Sequence, residues 1–134
     1  DVFLDNGYTK EESKMINETK KILHDDNLKI TATTVRVPVL NCHSESINIE
    51  LLKSYALDDV INLFNNTEGL TVYDEKDSLK YPMPILVDGQ DNVYIGRIRR
   101  DFSIDNGLNI WVVADNLRKG AALNAIQILE KLTK

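Results

Sequence analysis

The sequence predicts an α+β fold: a mainly antiparallel or mixed sheet with helices packed on one face. Three observations lead there. Apolar residues recur at helical spacing in three separate segments. In five others they alternate at period two or form short apolar runs bounded by turn residues. Several of those strands follow one another with no helix between them, which rules out a simple alternation of strand and helix.

The first element is announced by Thr9-Lys10-Glu11-Glu12, a capping box in which the threonine hydroxyl accepts from the third helical amide and Glu12 reaches back to the cap amide. A helix is expected from there to residue 23, with Met15, Ile16, Thr19, Ile22 and Leu23 as its inward stripe and Asp25-Asp26-Asn27 as its stop. Residues 28–40 read as a first strand, with Val35, Val37 and Val39 at period two and Pro38 making it an edge or a kink. Residues 46–53 read as a second, with Ile47, Ile49 and Leu51 on one face. Leu57, Val60, Ile61 and Phe64 give a helix over 57–65, ended near Gly69. A short strand over 70–73 precedes a long irregular connection, 74–91, that contains Tyr81-Pro82-Met83-Pro84. Strands over 93–99 and 108–114 flank a turn at Asp105-Asn106-Gly107. Asp115 or Asn116 can cap a closing helix over 117–132, whose Gly120-Ala121-Ala122 suits close packing.

Composition narrows the function. The 134 residues fit one domain, and 43% hydrophobic with 28% charged residues is ordinary for a soluble one. Sixteen basic against twenty-one acidic residues give a net charge of −5, with no clustered basic footprint, so nucleic acid is not the expected partner. No apolar run approaches the roughly 20 residues of a membrane helix, and no membrane partner is expected. Cys42 is the only cysteine, which suits a reducing, cytoplasmic setting. There is no glycine-rich phosphate loop and no metal-ligand cluster; His24 and His43 stand far apart. The chain opens on Asp1-Val2-Phe3-Leu4 without a methionine and reads as a fragment of a longer protein.

The run from Thr31 to Ser46 places one arginine and one histidine around a proline. An arginine fork is the natural bidentate partner of a carboxylate, and histidine is the usual proton carrier near neutral pH. Each also has a structural reading: Arg36 as a surface ion pair, His43 as a hydrogen-bonded framework residue. Cys42 and His43 are adjacent, so on an extended chain they face opposite ways and do not form a nucleophile and its base; Cys42 reads as a small buried side chain. Arg36 and His43 are an odd number of positions apart, so sharing one site requires irregular backbone between them, expected at Pro38 and Asn41-Cys42.

Thr33-x-Val35-Arg36-Val37-Pro38-Val39-x-x-x-His43-Ser44-Glu45-Ser46 resembles the arginine-to-histidine signature of aspartate-semialdehyde dehydrogenases. Three further blocks agree in order and spacing: Glu11-Glu12-x-Lys14 with Asn17 to Ile22; Tyr81-Pro82-Met83-Pro84 with Gly96-Arg97-Ile98-Arg99; and Asn106-Gly107-Leu108 through Trp111, Asp115-Asn116-Leu117 and Lys119 to Ala122. Thr34 departs from the cysteine that many members carry there.

The resemblance implies a fold like the C-terminal domain of glyceraldehyde-3-phosphate dehydrogenase. It makes 1–134 a substrate-binding and dimerisation domain, with 117–134 a closing helix that packs on a dinucleotide-binding domain absent from this chain. It implies reduction of 4-phospho-L-aspartate to L-aspartate 4-semialdehyde with NADPH, through a thioester on a cysteine that is also absent. His43 falls on the acid/base position and Arg36 on the residue that grips the substrate α-carboxylate. Glu11 falls on the partner of the substrate ammonium, Lys14 on the cation that meets the phosphoryl group, and Asn116 near the amide of NADP. Glu11 and Lys14 share a helix face at this spacing; their plainer roles are a charge at the helix dipole and a pair with Glu18. A two-fold homodimer through the sheet is expected, since the strands over 93–99 and 108–114 are apolar on both parities. Two alternatives remain open: a non-catalytic dimerisation module of the same fold, and a related N-acyl-glutamyl-phosphate reductase.

Overall fold

Residues 2–75 and 77–133 are described in the computed structural model; Asp1, Lys76 and Lys134 lie outside the described residues, and with them the first residue of the expected domain, one position of the 74–91 connection and the last residue of the expected closing segment. The chain divides into two units, Asp1–Pro38 and Val39–Lys134.

In the first unit, Phe3 bridges Thr9 in antiparallel fashion, and the turn is closed by the Leu4 amide donating to the Tyr8 carbonyl at 2.7 Å. Thr9 is extended (φ −84°, ψ 161°) and helix α1, Lys10–Leu23, starts from it as the capping box predicts. His24 ends the helix in the left-handed region, its amide donating to the Lys20 and Lys21 carbonyls. The expected inward stripe is not buried: Ile22 is 72% and Leu23 61% exposed, and Glu12 is the one buried residue of α1.

No strand forms over 28–40. Val35, Val37 and Val39 alternate as a strand would, but a strand exists only where a neighbour completes its ladder, and none does so here.

The second unit is built on a four-stranded mixed sheet of order β1-β4-β3-β2. Its strands are β1 (His43–Glu50), β2 (Leu70–Val72), β3 (Val93–Asp101) and β4 (Gly107–Ala114). β4 pairs antiparallel with β1 and β3, and β2 pairs parallel with β3. The strand expected over 46–53 therefore begins earlier, at His43, and ends at Glu50. Helix α2, Leu57–Asn65, turns Leu57, Val60, Ile61 and Phe64 onto one sheet face, where Ile95, Ile98, Leu108 and Ile110 are buried. The connection expected to be irregular holds a one-turn helix, α3 (Pro84–Val87), begun by the preset φ of Pro84. It lies on the other face, where Val87, Val113 and Cys42 are buried with Tyr94 and Trp111 against them.

Two local breaks correct the sequence reading. The register of β3 against β4 shifts between Gly96 and Arg99, with Arg97 at φ 55°. This bulge puts Ile98 on the same face as Ile95, and Asp74 Oδ2 accepts the Ile98 amide at 2.8 Å. Apolar residues on both parities of β3 thus reflect a bulge, and the apolar residues of β3 and β4 are buried or half-buried within the chain. The closing helix is also interrupted: Lys119 (ψ 119°), Gly120 (φ 93°) and Ala121 (ψ −122°) are non-helical, and the helix proper, α4, runs over Leu123–Thr133. The Gly120-Ala121-Ala122 run marks a backbone break, for which a glycine at positive φ is suited. α4 has no buried residue.

Candidate active site

Glu11 and Lys14 sit in the first turns of α1, on one face, with Lys14 Nζ 3.6 Å from Glu11 Oε1. Their side chains are 55% and 56% exposed. Lys14 therefore pairs with Glu11 and not with Glu18. An ion pair this long and this exposed is weak, so either group is free to take a stronger partner.

Glu12 beside them is buried, with Thr9, and organises the unit. Its Oε2 accepts the Thr9 amide at 2.8 Å, completing the capping box, and its Oε1 accepts the Thr34 amide at 2.8 Å. Thr9 Oγ1 accepts the Glu12 amide at 3.1 Å and lies 3.5 Å from Thr34 Oγ1. The backbone amides of Thr9 and then Thr34, both aimed at the charged form, hold the Glu12 carboxyl below its ordinary value. The capping box accounts for one carboxylate oxygen only. The bond to Thr34 spans 22 positions of sequence, and no local sequence pattern points to it. It uses the Thr34 main chain, which is why a threonine in place of cysteine leaves it intact.

Arg36 follows two residues later and is exposed. Within its unit, and among the described residues, its guanidinium has no ion-pair partner.

His43 opens β1, opposite Ala114 at the end of β4, and is exposed. Cys42 before it has φ 77°, and its thiol is buried, donating to the Pro84 carbonyl at 3.6 Å. Burial first, and then Asp115 and Asp88, push that thiol up, which is the signature of an inert structural cysteine. Asn41 is held by its Nδ2 donating to Asp88 Oδ1 at 3.1 Å. The positive φ at Cys42, with bends at Pro38, Leu40 and Asn41, is the irregular backbone expected between Arg36 and His43: no unbroken strand joins them.

At the same end of β4 as His43, Asp115 is buried and closes a local turn. Neither it nor Asn116 caps the closing helix, because α4 begins only at Leu123. Asp115 Oδ1 accepts the Leu117 amide and its Oδ2 the Gly89 amide, both at 2.9 Å. Those amides, Gly89's first, hold its carboxyl below the ordinary value. Asn116, the next residue, is half-buried.

The sequence profile described as semialdehyde dehydrogenase, dimerisation domain, matches residues 1–119. The chain belongs to this family. It is 52% identical over 134 residues to the aspartate-semialdehyde dehydrogenase of Aquifex aeolicus, covering 100% of the chain and 39% of that relative. It is 50% identical over 135 residues to that of Bacillus subtilis, again 100% of the chain and 39% of the relative. Among solved structures, aspartate semialdehyde dehydrogenase II of Vibrio cholerae, complexed with ASA, superimposes with a TM-score of 0.92 at 43% identity, covering 99% of this chain and 39% of that one. The Candida albicans enzyme, solved with NADP, gives 0.67 at 26% identity over 82% of this chain and 38% of that one. The semialdehyde dehydrogenase domain described here thus spans about two-fifths of the length of these relatives, and its mixed α+β sheet is the fold the sequence predicts.

Proposed function

We propose that this domain is the C-terminal, substrate-binding and dimerising part of an enzyme that reduces 4-phospho-L-aspartate to L-aspartate 4-semialdehyde with NADPH. The observation that carries this reading is the match of the whole chain, at 50% identity or more, to aspartate-semialdehyde dehydrogenases from two bacteria.

In this reading Arg36 holds the substrate α-carboxylate with both arms of its fork. The exposed Glu11–Lys14 pair opens when substrate arrives, Glu11 passing to the ammonium and Lys14 to the phosphoryl oxygens. Binding then exchanges one weak contact for two directed ones. His43 takes the proton of the catalytic cysteine, which belongs to the rest of the enzyme, as its sulfur attacks the acyl phosphate and phosphate leaves. It manages the proton again as the tetrahedral adduct collapses. NADPH supplies the hydride, and Asn116 contacts its carboxamide, with 117–134 packed on the dinucleotide-binding part. Exposure of both Arg36 and His43 suits residues that await a ligand. As a biosynthetic reductase the enzyme belongs in the cytoplasm.

The second copy docks on the sheet. The premise of a bare apolar face is corrected by Cys42 and α3, which cover part of it, and by Ser46 and Asn48 on its β1 side. Exposed apolar side chains lie instead in α3 and just before it: Tyr81 at 41% and Met83 at 40%, which line a cavity with Trp111, then Ile85 at 84% and Leu86 at 48%. Burying them in a two-fold contact is the driving force. Sedimentation equilibrium is expected to show twice the 15.2 kDa chain mass, and a clean monomer counts against the dimer.

The test of function is a substrate comparison in the dehydrogenase that carries this domain. NADPH oxidation is expected with 4-phospho-L-aspartate and not with N-acetylglutamyl phosphate, and His43→Asn is expected to lower kcat by about 10²–10⁴-fold. Equal turnover of both acyl phosphates would overturn the reading. The 134-residue chain alone is expected to turn over neither.

A further inference from the structure

We infer that Glu12 is a positioning residue for substrate binding: its carboxylate fixes the segment carrying Arg36 against the first turn that carries Glu11 and Lys14. The inference rests on the substrate-binding reading of those three residues.

The geometry is specific. One carboxylate oxygen accepts the Thr9 amide at 2.8 Å, locking the start of α1, and the other accepts the Thr34 amide at the same distance. Glu12 is the covalent neighbour of Glu11 and lies on the same helical turn as Lys14. Thr34 precedes Arg36 by two residues, which at full extension is at most about 7 Å of chain. All three substrate-facing candidates therefore lie within a few ångströms of backbone that one side chain holds. Among the described residues no strand ladder holds the segment, because no strand forms over 28–40. Tyr8 adds a hydroxyl contact to Thr31 Oγ1 at 3.0 Å, but that residue is farther from Arg36 and exposed. A buried carboxylate with both oxygens on main-chain amides is a more rigid joint than side-chain pairs, since neither amide can rotate away.

The chemistry tells which variant is informative. Glutamine keeps the shape of Glu12 but has one acceptor oxygen, and its NH₂ group meets the second amide donor to donor. In the dehydrogenase that carries this domain, run in the direction of semialdehyde oxidation, Glu12→Gln is expected to raise the KM for L-aspartate 4-semialdehyde about tenfold. That is the order of losing one charged-acceptor hydrogen bond. The kcat and the KM for NADP are expected to stay within about twofold. A role in stability alone would reduce the amount of active enzyme and leave KM unmoved. Thr34→Ala, which keeps the amide, is expected to leave the KM for the semialdehyde at the parent value. Arg36→Lys separates the two layers: its KM is expected to rise at least as much as that of Glu12→Gln. If Arg36→Lys leaves KM unchanged, the carboxylate-binding reading fails. If Arg36→Lys raises it and Glu12→Gln does not, the positioning role is overturned while the reading stands. An equal rise from Thr34→Ala would move the effect from the amide to the hydroxyl and also overturn it.

Discussion

The two units of the chain are held together by different forces. Every buried apolar side chain among the described residues lies in the second, from Cys42 and Val87 through Ile95, Ile98, Leu108 and Ile110 to Val113. The buried residues of the first are polar, Thr9 and Glu12. One unit is ordered by non-directional apolar burial under a sheet. The other is ordered by a few addressed hydrogen bonds that fix the backbone and leave side chains in solvent. Three of the candidate substrate contacts, Glu11, Lys14 and Arg36, belong to the unit built in the second way. Apolar burial would have consumed the surface such residues need, whereas a buried carboxylate between two amides orders the chain without covering them.

This contrast sets the sizes of the expected effects. Ile95→Ala removes a side chain 5% exposed in the centre of β3 and is expected to cost about 2–5 kcal/mol. Ile22→Ala, at a position 72% exposed in the apolar stripe of α1, is expected to change stability by less than about 0.5 kcal/mol. Urea unfolding of the two variants measures both, and comparable losses would break the distinction between the units. Next in size is Gly96→Ala. A Cβ there would stand 2.5 Å from Pro82 Cδ and 2.6 Å from the Tyr73 carbonyl oxygen. Tyr73 is anchored by its amide donating to the Ile95 carbonyl at 2.8 Å, so the carbonyl cannot retreat easily. Overpacking of about 1–3 kcal/mol is expected. Trp111 fluorescence should shift with it, because the indole Nε1 donates to the Pro82 carbonyl at 2.8 Å.

The first unit should instead be broken by acid. Glu12 has a folded-state pKa lowered from the ordinary 4.5, so its stabilising bonds are fully present above that value and are lost as pH falls through the lower folded value. Protection of the Thr9 and Thr34 amides against hydrogen exchange is expected to be constant from neutrality down to about pH 5, then to fall together below it. Protection of Val113, under Cys42 and α3, is expected to stay level over the onset of that fall. Amides of both units declining at one pH would mean that they open together.

How much of this was legible in the sequence follows the same division. The capping box gave the start of α1 and the Asp25-Asp26-Asn27 stop its approximate end, and the helical apolar spacing gave α2 over Leu57–Asn65, because local patterns decide each. What sequence missed depends on partners. Val35, Val37 and Val39 alternate perfectly well and still form no strand, since alternation carries no information about a neighbour to complete the ladder. Ile98 was on the wrong parity because a bulge at Arg97 is invisible to a period-two count. Gly120 looks from the sequence like a packing residue but serves a backbone break. Of the candidate site, the residue types and the helical face of Glu11 and Lys14 were readable. The second bond of Glu12 was not, because nothing local points 22 positions ahead.

The smallest expected effect is the sharpest test, because it compares two charged residues only two positions apart on one helix. Lys14 and Glu12 are two positions apart, but Lys14 Nζ reaches Glu11 at 3.6 Å with both side chains more than half exposed. Water already solvates each partner, and holding two long side chains in one geometry offsets most of the attraction. Lys14→Ala is therefore expected to change the stability of the chain by no more than a few tenths of a kcal/mol and to leave Thr34 amide protection untouched. In the dehydrogenase the same variant is expected to raise the KM for phosphate in semialdehyde oxidation by tenfold or more, since an anion loses its facing cation. Glu12→Gln should show the reverse: reduced Thr34 protection and little change in the KM for phosphate. If Lys14→Ala loosens the Thr34 amide as well, the exposed pair is part of the joint, and the separation between a residue that holds the backbone and a residue that meets the ligand fails in this unit.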